Sequence, residues 1–168
     1  MRKGEKSTQG TMANDDETNT IPIKYAKNWL ESAAKGQKGS EFDGQALQNL
    51  YSIHVQKGFI QCNFIVPKSL SDRDGNWHVG AIASLIDLVG ASAVYTANGS
   101  INVSVDFNIS YFSTVKVQDE VEIEARVLGQ KGNLSSSTVV IKNKGNGDLV
   151  AVGKQWMSAY DLNLKSKM

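Results

Sequence analysis

Cysteine, histidine and proline are scarce in this chain of 168 residues, which contains one cysteine, two histidines and two prolines. The single cysteine, Cys62, cannot form a disulfide within the chain, so we expect a reducing, intracellular setting. We interpret Cys62 as a packing residue, because a nucleophilic role would need a base that the sequence does not place beside it. No standard metal-binding spacing of histidine and cysteine occurs, so we predict neither a metal nor another cofactor.

An excess of charge of either sign is also missing, because 18 basic and 17 acidic side chains leave a formal net charge of +1. This balance argues against a nucleic-acid-binding surface and against a polybasic membrane anchor, and it leaves a small anionic ligand open. No apolar run approaches the roughly 20 residues that cross a bilayer, so we expect a soluble protein without a membrane span. The length and the 40% apolar composition suit one domain.

Both ends of the chain are polar and are predicted to lie outside this domain, which we place at residues 21–160. Residues 1–20 include an acidic run at 15–17, which suits neither a signal peptide nor a transit peptide, so we interpret them as a disordered tail. Residues 161–168 form a C-terminal tail. It ends in Ser-Lys-Met, which resembles the Ser-Lys-Leu peroxisomal address, and a solvated basic tail on a cytoplasmic protein is an equal alternative.

Hydrophobic periodicity predicts the order of helices and strands. The predicted elements are a helix at 21–34, a polar linker at 36–44, strands at 50–56 and 59–66, a helix at 78–97, and strands at 101–112, 115–128, 134–142 and 148–160. The second helix is apolar around most of its circumference, so protein must enclose it on most sides. The pattern therefore favours an α+β fold in which an antiparallel sheet of five to six strands wraps around a long central helix.

Asp87 is the only charged residue within the otherwise apolar and small segment 81–94 of that central helix. An unpaired carboxylate in such surroundings must become protonated, find a hydrogen-bond donor or face a water-filled pocket. Each of these arrangements suits a group that moves protons, so Asp87 is the first candidate for catalysis. The alternative is a buried, hydrogen-bonded aspartate that only fixes the packing of the helix.

Residues 101–112 alternate between apolar and polar side chains, which is typical of a strand with two different faces. The pattern predicts Val103, Val105 and Phe107 on one face, and Ser104 and Asp106 on the other. We select Ser104 as a site residue. Asn102 and Asp106 are interpreted as part of the solvated face of an edge strand.

Two segments of the sequence resemble the hotdog-fold acyl-CoA thioesterases, in particular the group of acyl-CoA thioesterase 13 and the bacterial phenylacetyl-CoA thioesterases. They are His-Val-Gly-Ala-Ile-Ala-Ser-Leu-Ile-Asp at 78–87 and Asn-Val-Ser-Val-Asp-Phe-Asn-Ile-Ser-Tyr-Phe-Ser at 102–113. The resemblance covers about residues 50–159 and implies the hotdog fold. It also implies that Asp87 activates the attacking water, that Ser104 helps to hold this water, and that the backbone N–H of Val79, with the loop around His78, receives the thioester oxygen.

Two positions depart from the family pattern. Val79 stands where the family has the first glycine of a His-Gly-Gly sequence, and Asp72 stands where it has an asparagine six residues before the histidine. Valine keeps its backbone donor, although its branched side chain narrows the approach to it. A carboxylate at Asp72 would repel a developing oxyanion unless it is protonated or turned away. Either Asn76 therefore polarises the thioester carbonyl in place of the family's asparagine, or turnover is slower than in typical members. Asp72, Asn76 and Trp77 are the candidate substrate-binding residues.

Helix geometry separates the predicted base from the predicted oxyanion donors. The first N–H groups of a helix have no internal partner, so Val79 and Gly80 would form an oxyanion hole. Asp87 lies eight residues after Val79, about 12 Å along the axis. Because both groups must act within about 3 Å of the reacting atoms, one helix cannot provide both. We therefore expect a homodimer with two sites shared between antiparallel helices, and we expect these dimers to pair into a tetramer.

The leading functional hypothesis is hydrolysis of an acyl-CoA thioester to a free acid and CoA, a reaction of fatty acid metabolism. The expected partners are acyl-CoA, as the substrate, and a second copy of the chain, with no nucleic acid. A hydratase on the same fold is disfavoured because the Asp-x-Asn-Pro-x-His pattern is incomplete at 106–111. The alternative from another class is a dimer that binds acyl-CoA or a protein partner without catalysis.

Overall fold

The structure is a computed structural model and describes residues 13–160, with side chains from Thr20 onward. Residues 1–12, the first part of the predicted N-terminal tail, and residues 161–168, which contain the Ser-Lys-Met tripeptide, lie outside the described residues. The elements are α1 (Ala13–Ala34), α2 (Glu41–Leu47), β1 (Leu50–Gln56), β2 (Phe59–Ile65), a 3₁₀ turn (Lys68–Leu70), α3 (Val79–Asn98), β3 (Asn102–Tyr111), β4 (Glu120–Lys131), β5 (Leu134–Asn143) and β6 (Leu149–Ala159).

All six strands form one antiparallel sheet in the order β1-β2-β4-β5-β6-β3, with β1 and β3 at its edges. The long helix α3 packs against five of these strands and against both other helices. Its fully buried residues Leu85, Ile86 and Val89 share one hydrophobic core with Ile123 and Ile141 of the sheet. The predicted α+β hotdog arrangement of five to six strands around a central helix is confirmed, with six strands.

The central helix α3 has defined ends. His78 is its N-cap, and Gly99 follows its last residue in the left-handed conformation at φ 67°, which glycine adopts without steric cost. By length and composition alone α3 is apolar enough to cross a membrane, because its 20 residues contain one charge. The prediction that no segment approaches this length was therefore wrong. Half of this apolar window is buried inside the fold, as expected of a core helix.

A β-bulge interrupts β3 and changes which residues face the helix. Ser104 pairs with Met157, whereas Asp106 pairs with the next residue back on β6, Trp156, so Val105 is the extra residue. Directly paired residues share a face, and Met157 faces the core. Ser104 therefore faces α3, while Asp106 points to the opposite side. The predicted single polar face across Ser104 and Asp106 was wrong, because the bulge reverses the alternation at that point.

Two helical segments differ from the sequence expectation. The helix α1 begins at Ala13, eight residues before the predicted boundary at residue 21, so residues 13–20 are helical rather than a disordered tail. The predicted linker at 36–44 contains the beginning of α2, whose first turn is closed by a capping box between Ser40 and Asp43.

Cys62 lies on β2 with 1% of its surface exposed. Burial raises the pKa of this thiol to about 12, so it is protonated at neutral pH and is a poor nucleophile. The side chain belongs to the hydrophobic core, which agrees with its interpretation as a packing residue.

Gly153 of β6 provides the space that the Ile86 side chain of α3 occupies. A Cβ atom at Gly153 would lie 2.4 Å from Cγ2 of Ile86. We predict that Gly153→Ala lowers the free energy of unfolding by about 1–3 kcal/mol, the usual cost of overpacking a core. Urea unfolding of the purified variant measures this loss.

Gly129→Ala is the matched control for this substitution. Gly129 also lies within a strand, and a Cβ there would meet no atom within 4 Å. We expect this variant to differ from the wild type by less than about 0.5 kcal/mol. Equal unfolding curves for the wild type and Gly153→Ala would contradict the packing role of Gly153.

Candidate active site

Asp87 is half-buried on α3 and has two hydrogen-bond partners. The Ser104 hydroxyl and the Gln155 side-chain amide both donate to its Oδ1 atom, each at 2.6 Å. No other group of residues 20–160 donates to Asp87, and no cation there forms an ion pair with it. Its Oδ2 atom is therefore the carboxylate oxygen with unused acceptor capacity, as a general base requires.

Ser104 reaches Asp87 from the inner face of β3. Its hydroxyl uses its single proton in the bond to Asp87. A hydroxyl has two further acceptor sites, so Ser104 can accept a hydrogen bond from a water molecule beside the carboxylate. The geometry thus places a base and a water acceptor next to each other.

The N-terminus of α3 presents one open backbone donor. The Gly80 N–H donates to Nδ1 of the capping residue His78 at 3.0 Å, and the N–H groups of Ala81 and Ile82 donate to the His78 carbonyl. Within the described part of the chain, the Val79 N–H meets no acceptor. Of the two predicted oxyanion donors, Val79 is therefore free and Gly80 is engaged by the imidazole.

His78 and the first turn of α3 are held from two sides. Because the His78 Nδ1 atom accepts from Gly80, the neutral ring carries its proton on Nε2. The Tyr111 hydroxyl donates to the Val79 carbonyl at 3.1 Å, which ties the helix start to β3. Burial raises the pKa of Tyr111, so this donor remains protonated at neutral pH. His78, Val79 and Gly80 are all exposed to solvent.

The Asp72 carboxylate is turned into its own loop. It accepts hydrogen bonds from the backbone N–H groups of Asn76 and Asp74, at 2.8 and 2.9 Å, and from the Asn76 side-chain amide at 3.2 Å. These donors, the Asn76 backbone first, hold the pKa of Asp72 below its usual value. Asp72 is thus ionised, its charge is used to close the turn, and Asn76 serves the same turn.

Trp77 lies in the core rather than at the surface of the site. Its side chain is 3% exposed and stacks on Phe64, with 5.0 Å between the ring centroids. The Trp77 backbone N–H donates to the Val115 carbonyl at 2.7 Å. This packing anchors the loop that leads into α3, but it leaves no surface of the indole for a substrate.

A cavity of about 470 Å³ lies beside the N-terminus of α3. Its lining includes Phe42 and Gln45 of α2, together with Leu70, His78 and Gly80. The sequence prediction missed both residues, because it placed Phe42 in a linker at 36–44 and assigned no element to Gln45. The signal was present as a serine followed three residues later by an acid, at Ser40 and Asp43, which is a helix-start pattern.

A second, mostly apolar cavity of about 280 Å³ lies between α1 and α3. Its lining includes Tyr25 and Trp29 of α1, Leu88 of α3 and Asn102 of β3. The side-chain amide of Asn98, the last residue of α3, donates a hydrogen bond to the side-chain oxygen of Asn102 at 3.1 Å. Within residues 13–160, no cluster of three or more histidine, cysteine, aspartate and glutamate side chains is arranged to hold a metal ion.

Comparisons with known proteins identify the family of this chain. The thioesterase superfamily model matches residues 74–150, which contain α3 and β3. Human acyl-coenzyme A thioesterase 13 is 32% identical over 111 residues, which cover 66% of this chain and 79% of the human protein. The mouse protein of the same name is 35% identical over 94 residues, covering 55% of this chain and 67% of the mouse protein.

A solved structure shows the same likeness in three dimensions. The crystal structure of zebrafish thioesterase superfamily member 2 superposes with a TM-score of 0.74 at 29% identity, covering 82% of this chain and 98% of the zebrafish chain. The chain belongs to the thioesterase superfamily and is a thioester hydrolase with the hotdog fold.

Proposed function

We propose that the protein hydrolyses acyl-CoA thioesters to a free carboxylic acid and CoA. The observation that carries this proposal is the Asp87 carboxylate, which has one oxygen held by two donors and the other open. An open donor, the Val79 N–H, marks the start of the same helix. The curated relatives named acyl-coenzyme A thioesterase 13 support the choice of substrate.

The proposed reaction needs only a base and an oxyanion donor. Oδ2 of Asp87 takes a proton from water while the water oxygen attacks the thioester carbonyl carbon. The carbonyl oxygen becomes an oxyanion, which accepts a hydrogen bond from the Val79 N–H at the positive end of α3. The C–S bond then breaks, the carbonyl re-forms, and the CoA thiolate takes the proton from Asp87. CoA is part of the substrate, and no further cofactor enters the reaction.

A site shared between two subunits follows from the spacing on α3. Val79 and Asp87 of one helix are separated by about 12 Å along its axis, which is too far for both to touch one thioester. Two helices packed antiparallel across a twofold axis bring Val79 of one copy beside Asp87 of the other. The edge strand β3 supports such a dimer, because Val103 and Val105 are 46% and 57% exposed on it.

We place part of the acyl-CoA substrate in the cavity at the start of α3, so that its thioester carbonyl lies beside the Val79 N–H. A thioesterase from Streptococcus pneumoniae was crystallised with coenzyme A and shares this fold at 23% identity, with a TM-score of 0.64, covering 69% of this chain and 89% of that chain. At that identity the likeness supports the fold alone. Turnover rates on a panel of acyl-CoA substrates with short, long and aromatic acyl groups will identify the preferred acyl chain.

Replacing the proposed base tests the mechanism. We predict that Asp87→Asn reduces kcat for acyl-CoA hydrolysis by about 100-fold or more, since a positioned general base contributes about 10²–10⁴-fold. Release of free CoA thiol measures the rate. Asp148→Asn makes the same chemical change in the exposed turn before β6, and we expect it to retain wild-type turnover.

The same experiment separates catalysis from simple binding. Equal turnover of the wild type and Asp87→Asn would remove Asp87 from the mechanism. If the wild type binds acyl-CoA without releasing thiol, the non-catalytic binding dimer becomes the better description of the protein.

Ser104→Ala tests the water-holding role of the hydroxyl. We expect kcat to fall by about tenfold or more, because hydrogen bonds to charged groups contribute about 1.5–3 kcal/mol. The oligomeric state should be unchanged in size-exclusion chromatography with light scattering. Ser110→Ala, on the opposite face of the same strand, is the matched control and should retain full turnover. An unaltered rate in Ser104→Ala would reject the role.

Val79→Pro removes the proposed oxyanion donor while sparing the helix. Val79 is the first residue of α3, where proline is favoured, and His78 before it has the extended φ and ψ of −66° and 132° that proline requires. We predict that this variant folds normally by circular dichroism and loses about 10²–10³-fold in kcat.

Mixing two inactive variants tests whether the site is shared. Asp87→Asn and Val79→Pro are unfolded together, refolded and assayed. Random pairing makes about half of the dimers mixed, and each mixed dimer holds one intact site of two, so about a quarter of the wild-type activity should return. Each variant refolded alone is the control. No recovery, with mixed dimers demonstrated by mass spectrometry, would place each site within a single protomer.

A further inference from the structure

Gln155 carries a polar side-chain amide on the buried face of β6. It is 1% exposed, and its neighbours on that face, Gly153 and Met157, are apolar and buried. A buried amide is tolerated only when its polar atoms have partners. The sequence prediction assigned no role to Gln155, although a lone polar residue at an inward position of an alternating strand is the signal that marks it.

Both ends of the Gln155 amide are engaged. Its Nε2 atom donates to Oδ1 of Asp87 at 2.6 Å, and its Oε1 atom accepts from the buried hydroxyl of Ser137 at 3.3 Å. An ionised carboxylate only accepts hydrogen bonds, so the NH₂ end must face Asp87. Ser137 of β5 therefore holds the oxygen end, and the amide cannot rotate without losing both bonds.

Gly90 provides the space for this amide. It lies on α3, three residues after Asp87 and thus on the same side of the helix. A Cβ atom at Gly90 would lie 2.0 Å from Oε1 and 3.1 Å from Cδ of Gln155. Glycine is unfavourable inside a helix, so a glycine at this position indicates a packing requirement.

We propose that Gln155 is a positioning residue for the catalytic carboxylate, and that Gly90 exists to admit it. Together with Ser104, Gln155 saturates Oδ1 of Asp87, so that Oδ2 is the oxygen presented to the attacking water. The two neutral donors are the only partners of this carboxylate among residues 20–160. This inference rests on the proposed function, in which Asp87 is the base.

The first test measures the pH dependence of turnover. Gln155→Met keeps the length of the side chain and removes its donor. Because a hydrogen bond to the charged form of an acid favours that form, its loss should move the acid limb of the kcat profile upward by about one pH unit. We expect kcat at neutral pH to fall about tenfold and KM to stay within twofold. Gly90→Ala, which displaces the amide, should move the limb in the same direction.

Ile141→Val is the control for a purely structural effect. Ile141 is fully buried on β5, and its apolar side chain forms no hydrogen bond to Asp87. This variant therefore lowers stability and leaves both hydrogen bonds of the carboxylate in place. It should leave the acid limb unchanged. A Gln155→Met variant whose acid limb and kcat match those of Ile141→Val would overturn the positioning role.

The second test uses stability and is independent of activity. Gly90→Ala should lower the urea midpoint of the wild type, but not that of Gln155→Ala, where the clashing amide is absent. In that background the better helix propensity of alanine should raise the midpoint. An equal drop in both backgrounds would assign the clash to Val139, whose Cγ2 lies 3.2 Å from the same Cβ position, and would overturn the role of Gly90.

The two tests separate this inference from the proposed function. If the wild type releases no thiol from any acyl-CoA, the proposed function fails, while the stability coupling between Gly90 and Gln155 can still be measured. If the wild type is active and the acid limb does not move in Gln155→Met, the positioning role fails and the proposed function stands.

Discussion

The hydrogen bonding of one carboxylate inside an apolar helix is the constraint on which the rest of the structure depends. Asp87 has no cation to pair with among residues 20–160, so neutral donors must stabilise its charge. Ser104 supplies one from the edge strand, and Gln155 supplies the other from the neighbouring strand. Both donors act on the same oxygen. The arrangement gives one carboxylate oxygen two partners and leaves the other without a donor among residues 20–160, which suits the base proposed for hydrolysis.

Several features of the fold follow from bringing these groups together. The bulge at Val105 allows Ser104 to face the helix while the later residues of β3 resume the inward apolar pattern. Gly90 opens a recess on α3, and Gly153 does the same on β6 for the side chain of Ile86. In each case a local irregularity or a missing side chain lets the helix and the sheet approach closely enough for one buried contact.

The sequence predicted the larger elements well because their periodicity is strong. The hairpin strand β1 (Leu50–Gln56) has the predicted bounds, and the central helix is displaced by one residue at each end. The start of β4 and the whole of α2 were not predicted. Residues 115–118, Val-Lys-Val-Gln, alternate between apolar and polar side chains as a strand does, yet Gln118 has a positive φ and the chain turns there. The helix α2 is only seven residues long, too short for periodicity to reveal it.

By itself, the sequence determined that a single charge lies within an apolar helix, that a histidine stands where this helix begins, and that a serine follows on the next strand. These are local properties, since residue order and helical spacing decide them. Only the tertiary structure decided that Gln155, 68 residues beyond Asp87, donates to the same oxygen as Ser104, and that Asp72 closes its own turn. Contacts of this kind depend on strand register and on a bulge, and no short-range pattern specifies either.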